Sequence, residues 1–207
     1  MDGVLVDGEP LHFEAVNTLL AEEGRSLSLE QYKPYMGTKS GWRELIRDFE
    51  LQNPIDEYQR RYLPLMTQQY LVKSEALPGA KGLVRALQER RMPLVVCSSS
   101  VRPWVDAALR KITLLDAFPQ MVTGDEVEHG KPAPDIYLAA AERIGVAPER
   151  CLAIEDSPAG IQSAVAAGMH CWAVRTEYTR GMELPPCERE FNSLLEVRLE
   201  DILGVPA

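Results

Sequence analysis

The sequence has little of what marks the more specialised protein classes. It holds four cysteines in 207 residues, Cys97, Cys151, Cys171 and Cys187, with no Cys-x-x-Cys spacing. That excludes a disulfide framework and a cysteine zinc site, and the three thiols inside apolar runs read as small buried hydrophobes. No apolar run approaches the ~20 residues of a membrane span, and no basic segment followed by an apolar one opens the sequence. No membrane partner is expected, and the expected location is cytoplasmic. Basic residues are outnumbered, 22 Lys and Arg against 31 Asp and Glu, for a net charge of −9. With no Lys/Arg block able to neutralise a row of phosphates, nucleic acid is excluded as a partner. Aromatics make up 7% of the chain and there are three histidines. Trp42, Trp104 and Trp172 therefore read as packing residues, and His129 and His170 stand without ligand companions in sequence.

What is present is an ordinary globular composition, 45% apolar and 26% charged, arranged in a regular alternation. Short apolar runs, Met92–Cys97, Gln120–Thr123, Cys151–Glu155 and Cys171–Val174, read as strands. Helical patterns lie between and around them: Ala80–Arg90, Val101–Lys111, Asp135–Ile144 and Pro158–Ala167. Such a βαβα series predicts an α/β fold, a doubly wound parallel sheet covered by helices. Residues 11–75 differ, with helical periodicity over Leu11–Glu23, Leu29–Tyr35, Trp42–Leu51 and Ile55–Val72 and no convincing strand. They are expected to form a small helical domain inserted after the first strand, with residues 1–10 and 76–207 making the core domain. The Pro/Glu-rich patch Met182–Glu190 reads as a surface loop.

Four segments put polar residues at the carboxyl ends of predicted strands, where open α/β sheets bind ligands. The first is Asp2-Gly-Val-Leu-Val-Asp7, a carboxylate before a glycine that permits a tight turn. The second is Cys97-Ser98-Ser99-Ser100, hydroxyls running into a helix start, either an N-cap or a cradle for phosphate oxygens. The third, Gly130-Lys131-Pro132-Ala133-Pro134-Asp135, pins a lysine between glycine and proline. The fourth, Ile154-Glu155-Asp156-Ser157-Pro158-Ala159-Gly160, sets two adjacent carboxylates at a strand end. That arrangement is tolerable mainly beside a cation, and hard oxygen ligands suit Mg²⁺.

In order, spacing and context these segments resemble the four motifs of the haloacid-dehalogenase-like superfamily, over nearly the whole chain. Glu9-Pro-Leu-His12 and the helical insert after the first motif resemble its β-phosphoglucomutase-like branch. The resemblance implies a Rossmann-like core with a helical cap, and a phosphatase acting on a small phosphorylated, sugar-phosphate-like metabolite through an aspartyl-phosphate. It implies that Asp2 is the general acid and base. Ser98, Ser99 and Lys131 would hold phosphoryl oxygens, with Ser98 and Lys131 acting in catalysis, and His12 would lie by the substrate. Asp156, the Asp2 backbone carbonyl and Glu155 would serve a Mg²⁺ ion. A monomer is the favoured state.

This sequence departs from the family's pattern in two places. The family's nucleophilic aspartate falls one residue before Met1, and the apolar strand of ~5–6 residues that leads into it is absent too. Without that strand its two neighbours lose a pairing partner, so the natural product is expected to start upstream. If Met1 is the true start, a catalytically silent phosphate-binding protein is the alternative. The other departure lies in the cap, where mutases of this branch carry Gly-x-x-Arg. Here Gly37-Thr-Lys-Ser40 has serine in the arginine's place, which favours a phosphatase over a sugar-phosphate mutase.

Overall fold

The computed structural model describes residues 1–35 and 41–205; the Gly37–Ser40 comparison lies outside the described residues. The chain forms two compact units, Gly8–Ser74 and Met1–Asp7 together with Glu75–Ala207.

The smaller unit is helical: α1 (Glu9–Ala21), α2 (Leu29–Tyr32), α3 (Gly41–Asp48) and α4 (Ile55–Lys73). Pro10 opens α1, where a missing N–H costs nothing. Ser28 starts α2 with a reciprocal cap: its hydroxyl accepts from the Gln31 N–H, and the Gln31 side chain accepts from the Ser28 N–H. The unit has its own apolar centre, in which Leu20 and Tyr58 are fully buried beside Leu19 and Leu45. Trp42 stacks on Tyr58 with ring centroids 4.8 Å apart, as a packing residue.

The larger unit runs α5 (Ala80–Glu89), β1 (Val95–Ser98), α6 (Arg102–Lys111), β2 (Gln120–Thr123), α7 (Asp135–Ile144), β3 (Leu152–Glu155), α8 (Pro158–Ala166), β4 (His170–Val174), β5 (Arg189–Phe191) and α9 (Leu199–Leu203). Each pair among β1 to β5 is parallel, as the alternating pattern predicts for an α/β fold. The sheet comes in two parts, β1–β2 and β3–β4–β5. In the first, Ser98 lies opposite Thr123; in the second, Glu155 lies opposite Ala173. Helices α7 and α8 bury Ile136, Ala140, Ile161 and Ala164 against Val122, Ala153 and Ala173 of the strands.

Two expectations need correction. The strand read over Met92–Cys97 starts at Val95, three residues later than its apolar run, because Pro93 has no N–H to give a ladder. The patch read as a surface loop runs into β5, which pairs with Trp172–Val174 of β4. Phe191 docks on Trp172, ring centroids 5.6 Å apart, and the Arg189 guanidinium lies 4.9 Å from the centre of each ring. All four cysteines are free thiols; Cys171 is buried and the other three are half-buried. Among the described residues no helix is long and apolar enough to cross a membrane.

Candidate active site

The first motif folds into a tight loop. The Met1 carbonyl accepts from the Leu5 N–H at 2.8 Å and the Gly3 N–H donates to the Val6 carbonyl at 2.7 Å. Gly3 takes φ +71°, open to glycine and strained for other residues, and a Cβ there would lie 1.9 Å from Asp156 Oδ2. Glycine is thus required twice, for the turn and for the close approach of a carboxylate arriving from the end of β3.

Asp2 faces the end of β1, where the Ser100 hydroxyl donates to its Oδ2 at 3.1 Å. The Ser100 N–H in turn donates to Ser98 Oγ at 3.2 Å. Ser98 is buried at 3% exposure while Ser99 is exposed. Asp2, Ser98 and Asp156, far apart in sequence, therefore meet where β1 and β3 end, with Ser100 as an additional member.

The adjacent carboxylates Glu155 and Asp156 part company. Successive side chains of an extended segment point to opposite sides, and here Glu155 turns inward while Asp156 turns toward Gly3. Glu155 is buried and forms an ion pair with Lys131. Its Oε1 also accepts from the Tyr137 hydroxyl at 2.5 Å, and its Oε2 accepts from the Ser157 hydroxyl at 3.2 Å. Burial alone would push the Glu155 carboxyl up, but the Lys131 ammonium and its hydrogen bonds outweigh that and hold it low. Burial also works against the charge on Lys131, and Glu155 overrides it and raises the ammonium. Gly160 makes room for this arrangement, since a Cβ there would sit 2.0 Å from Glu155 Oε2.

Asp156 is different. Burial first, then the neighbouring Glu155 charge, push its carboxyl above the usual range, with Asp2 adding in the same direction. A carboxylate crowded by other carboxylates, with the nearest lysine committed to Glu155, is a place that a cation would relieve. Asp2 and Asp156 offer hard oxygen donors to it. Among the described residues no three His, Cys, Asp or Glu side chains stand arranged as a complete metal cage. A cation here would keep waters or substrate oxygens in its shell, which is the habit of Mg²⁺.

His12 belongs to the helical unit. Its Nδ1 lies 2.5 Å from the Tyr62 hydroxyl and its Nε2 3.0 Å from the Tyr70 hydroxyl, so both ring nitrogens are engaged there. His129 and His170, read as isolated, each have a carboxylate partner, Asp135 at 2.9 Å and Glu188 at 2.5 Å. Sequence reasoning passed over Ser100 and Tyr137. Ser100 closes the serine run already singled out, and Tyr137 lies on the buried side of α7, two residues past the Lys131 motif.

The model of haloacid dehalogenase-like hydrolases matches residues 1–168. The chain is 32% identical over 174 residues to the phosphorylated carbohydrates phosphatase of Thermotoga maritima, a match covering 82% of this chain and 79% of that protein. It is 36% identical over 183 residues to the chloroplastic Protein SUPPRESSOR OF QUENCHING 1 of Arabidopsis thaliana; the match covers 85% of this chain and 17% of that much longer protein. Among solved structures, a CbbY mutant from Rhodobacter sphaeroides in complex with xylulose-(1,5)bisphosphate superposes with a TM-score of 0.83 at 28% identity, covering 95% of this chain and 92% of that one.

Proposed function

The chain belongs to the haloacid dehalogenase-like hydrolases, with β-phosphoglucomutase-like enzymes among its structural neighbours and the family's phosphatase type of enzyme as its own. From that premise we propose that it is a Mg²⁺-dependent phosphatase of small, sugar-like phosphate monoesters. The observation that carries the reading is the meeting of Asp2, Ser98 and Asp156 where β1 and β3 end, with the Lys131–Glu155 pair beside them.

Each residue has a task its surroundings allow. The Asp2 carboxyl, oriented by the Ser100 hydroxyl, moves the proton, first to the leaving alcohol and then from the attacking water. The Ser98 oxygen is oriented by the Ser100 N–H and its hydroxyl hydrogen is left to hold a phosphoryl oxygen, with exposed Ser99 next to it. Lys131, fixed by Glu155 and the Tyr137 ring, supplies positive charge to the transferring phosphoryl group. Asp156 and the Asp2 carbonyl would hold Mg²⁺, which offsets the repulsion between a dianionic phosphate and these carboxylates. The family resemblance implies a nucleophilic aspartate two positions before Asp2, which would form the aspartyl-phosphate. The helical unit would act as the cap that admits substrate and excludes water.

The test is phosphate release from a panel of sugar phosphates by protein carrying Asp directly ahead of Met1, with and without Mg²⁺. Release that needs Mg²⁺ and is abolished by Asn in place of that Asp supports the proposal. If no ester yields phosphate with the aspartate in place, the reading fails.

A further inference from the structure

The Ser98–Ser100 loop joins β1 to α6, and one short segment of the chain holds both of its ends. On the strand side Ser98 lies opposite Thr123, the last residue of β2. On the helix side the next two residues reach across. The Gly124 N–H donates to the Ser100 carbonyl at 3.0 Å, and the Arg102 N–H donates to Asp125 Oδ1 at 3.1 Å. Helix α6 needs that acceptor. The first N–H groups of a helix have no partner within it, and Val101, which precedes the first turn, supplies no side-chain cap. Pro103 has no N–H, and the Trp104 N–H returns to the Val101 carbonyl at 3.0 Å. Asp125 therefore caps α6 from another loop, with the helix dipole favouring its charge.

Asp125 is itself held in place. The hydroxyl of Thr123, a fully buried residue, donates to the same Oδ1 at 2.7 Å. Burial would push the Asp125 carboxyl up, but the Thr123 hydroxyl and backbone N–H bonds outweigh it and hold it low, so it accepts as a carboxylate. Gly124 adds a close approach: a Cβ there would lie 2.2 Å from the Ser99 carbonyl oxygen. The Ser99 carbonyl thus points toward the end of β2. A trans peptide sends its C=O and N–H opposite ways, so the Ser100 N–H points away from β2, toward Ser98 Oγ at 3.2 Å. From the same residue the Ser100 hydroxyl meets Asp2 Oδ2.

We propose that Asp125 is a positioning residue of the phosphate site. With Gly124 it clasps the Ser98–Ser100 loop, so that the Ser98 hydroxyl faces a phosphoryl oxygen and the Ser100 hydroxyl reaches Asp2. The proposal rests on the phosphatase reading for what Ser98 holds, and extends it to a residue that acts only through others. What position 125 must supply is an acceptor oxygen, so asparagine serves there and alanine does not.

The experiment uses the 207-residue chain and reads two quantities: affinity for inorganic phosphate in the presence of Mg²⁺, by titration calorimetry, and amide hydrogen exchange at Ser100. Asp125→Ala is expected to weaken phosphate binding and to speed Ser100 exchange, each about tenfold, and Gly124→Ala to do the same by pressing on the Ser99 carbonyl. Asp125→Asn should bring both back near the values of the unaltered chain. Val105→Ala, at a fully buried α6 side chain outside the clasp, should change neither. The proposal is overturned if Val105→Ala reproduces the losses, since general loosening of α6 then accounts for them, or if asparagine fails to restore them. Ser98→Ala separates the remaining failures. Phosphate that binds Ser98→Ala no worse than the unaltered chain removes the phosphate site, and the proposal with it. Binding that is weakened in Ser98→Ala and kept in Asp125→Ala overturns the proposal alone.

Discussion

At the scale of single residues, the Lys131–Glu155 pair has the largest stake in stability. Both side chains are nearly sealed from solvent, at 10% and 5% exposure. Removing one charge strands the other, so Lys131→Met should cost about 3–5 kcal/mol in urea unfolding, and Lys131→Met with Glu155→Leu markedly less. The thiols offer a pH test. Burial pushes Cys97 up to about 11 and Cys171 up to about 12. Thiolate is the reactive form, so at pH 8 both should alkylate far more slowly in the folded protein than in urea. Their rates should keep rising beyond pH 10, which peptide mass spectrometry after iodoacetamide can follow, with Cys151 and Cys187 labelled first. Much at this scale was legible: Asp2, Ser98, Lys131 and Asp156 stand out because strand-end position and residue type are both written in the sequence. The inward turn of Glu155 was not, since adjacent carboxylates look alike until the pleat assigns each a side. Nor was the engagement of His12 by Tyr62 and Tyr70, which are 50 and 58 positions away.

At the scale of elements, Ser157 joins a helix to the site. Its hydroxyl accepts from the Gly160 N–H at 3.1 Å to start α8 and also reaches Glu155. Ser157→Ala should therefore cost about 1 kcal/mol or somewhat more, read by chemical denaturation, with Ser157→Asp keeping the cap but placing a second carboxylate against Glu155. Helices α7 and α8 were readable to within a residue because apolar periodicity and proline at the start agree. Strand β5 was not. It is three residues long, Arg-Glu-Phe, with only Phe191 buried. Alternation needs more length than that to show, and its stability comes from the packing of Phe191 and Arg189 on Trp172, contacts made across the chain.

At the scale of the whole molecule, the helical unit has an apolar centre that draws on its own residues. Leu45→Ala, at a side chain with 2% exposure, should cost about 2–5 kcal/mol locally. Hydrogen exchange should then quicken across α1 to α4 while the amides of β3 and β4 keep their protection. The alternation of strands and helices made the parallel α/β architecture visible in advance. Which strand pairs with which, β1 with β2 and β3 with β4 and β5, is a long-range property that no local pattern encodes.

The chain leaves the larger unit and re-enters it at one doorway. Val6 forms a bridge with Ala76, and the Leu77 N–H donates to the Leu5 carbonyl at 2.9 Å. Everything from Gly8 to Ser74 is thus a cassette whose two ends are stitched together on the sheet side. Such an insert can be lengthened, shortened or exchanged at little loop-closure cost to the remainder. Relatives could therefore diverge in what they select while inheriting the same chemistry unaltered.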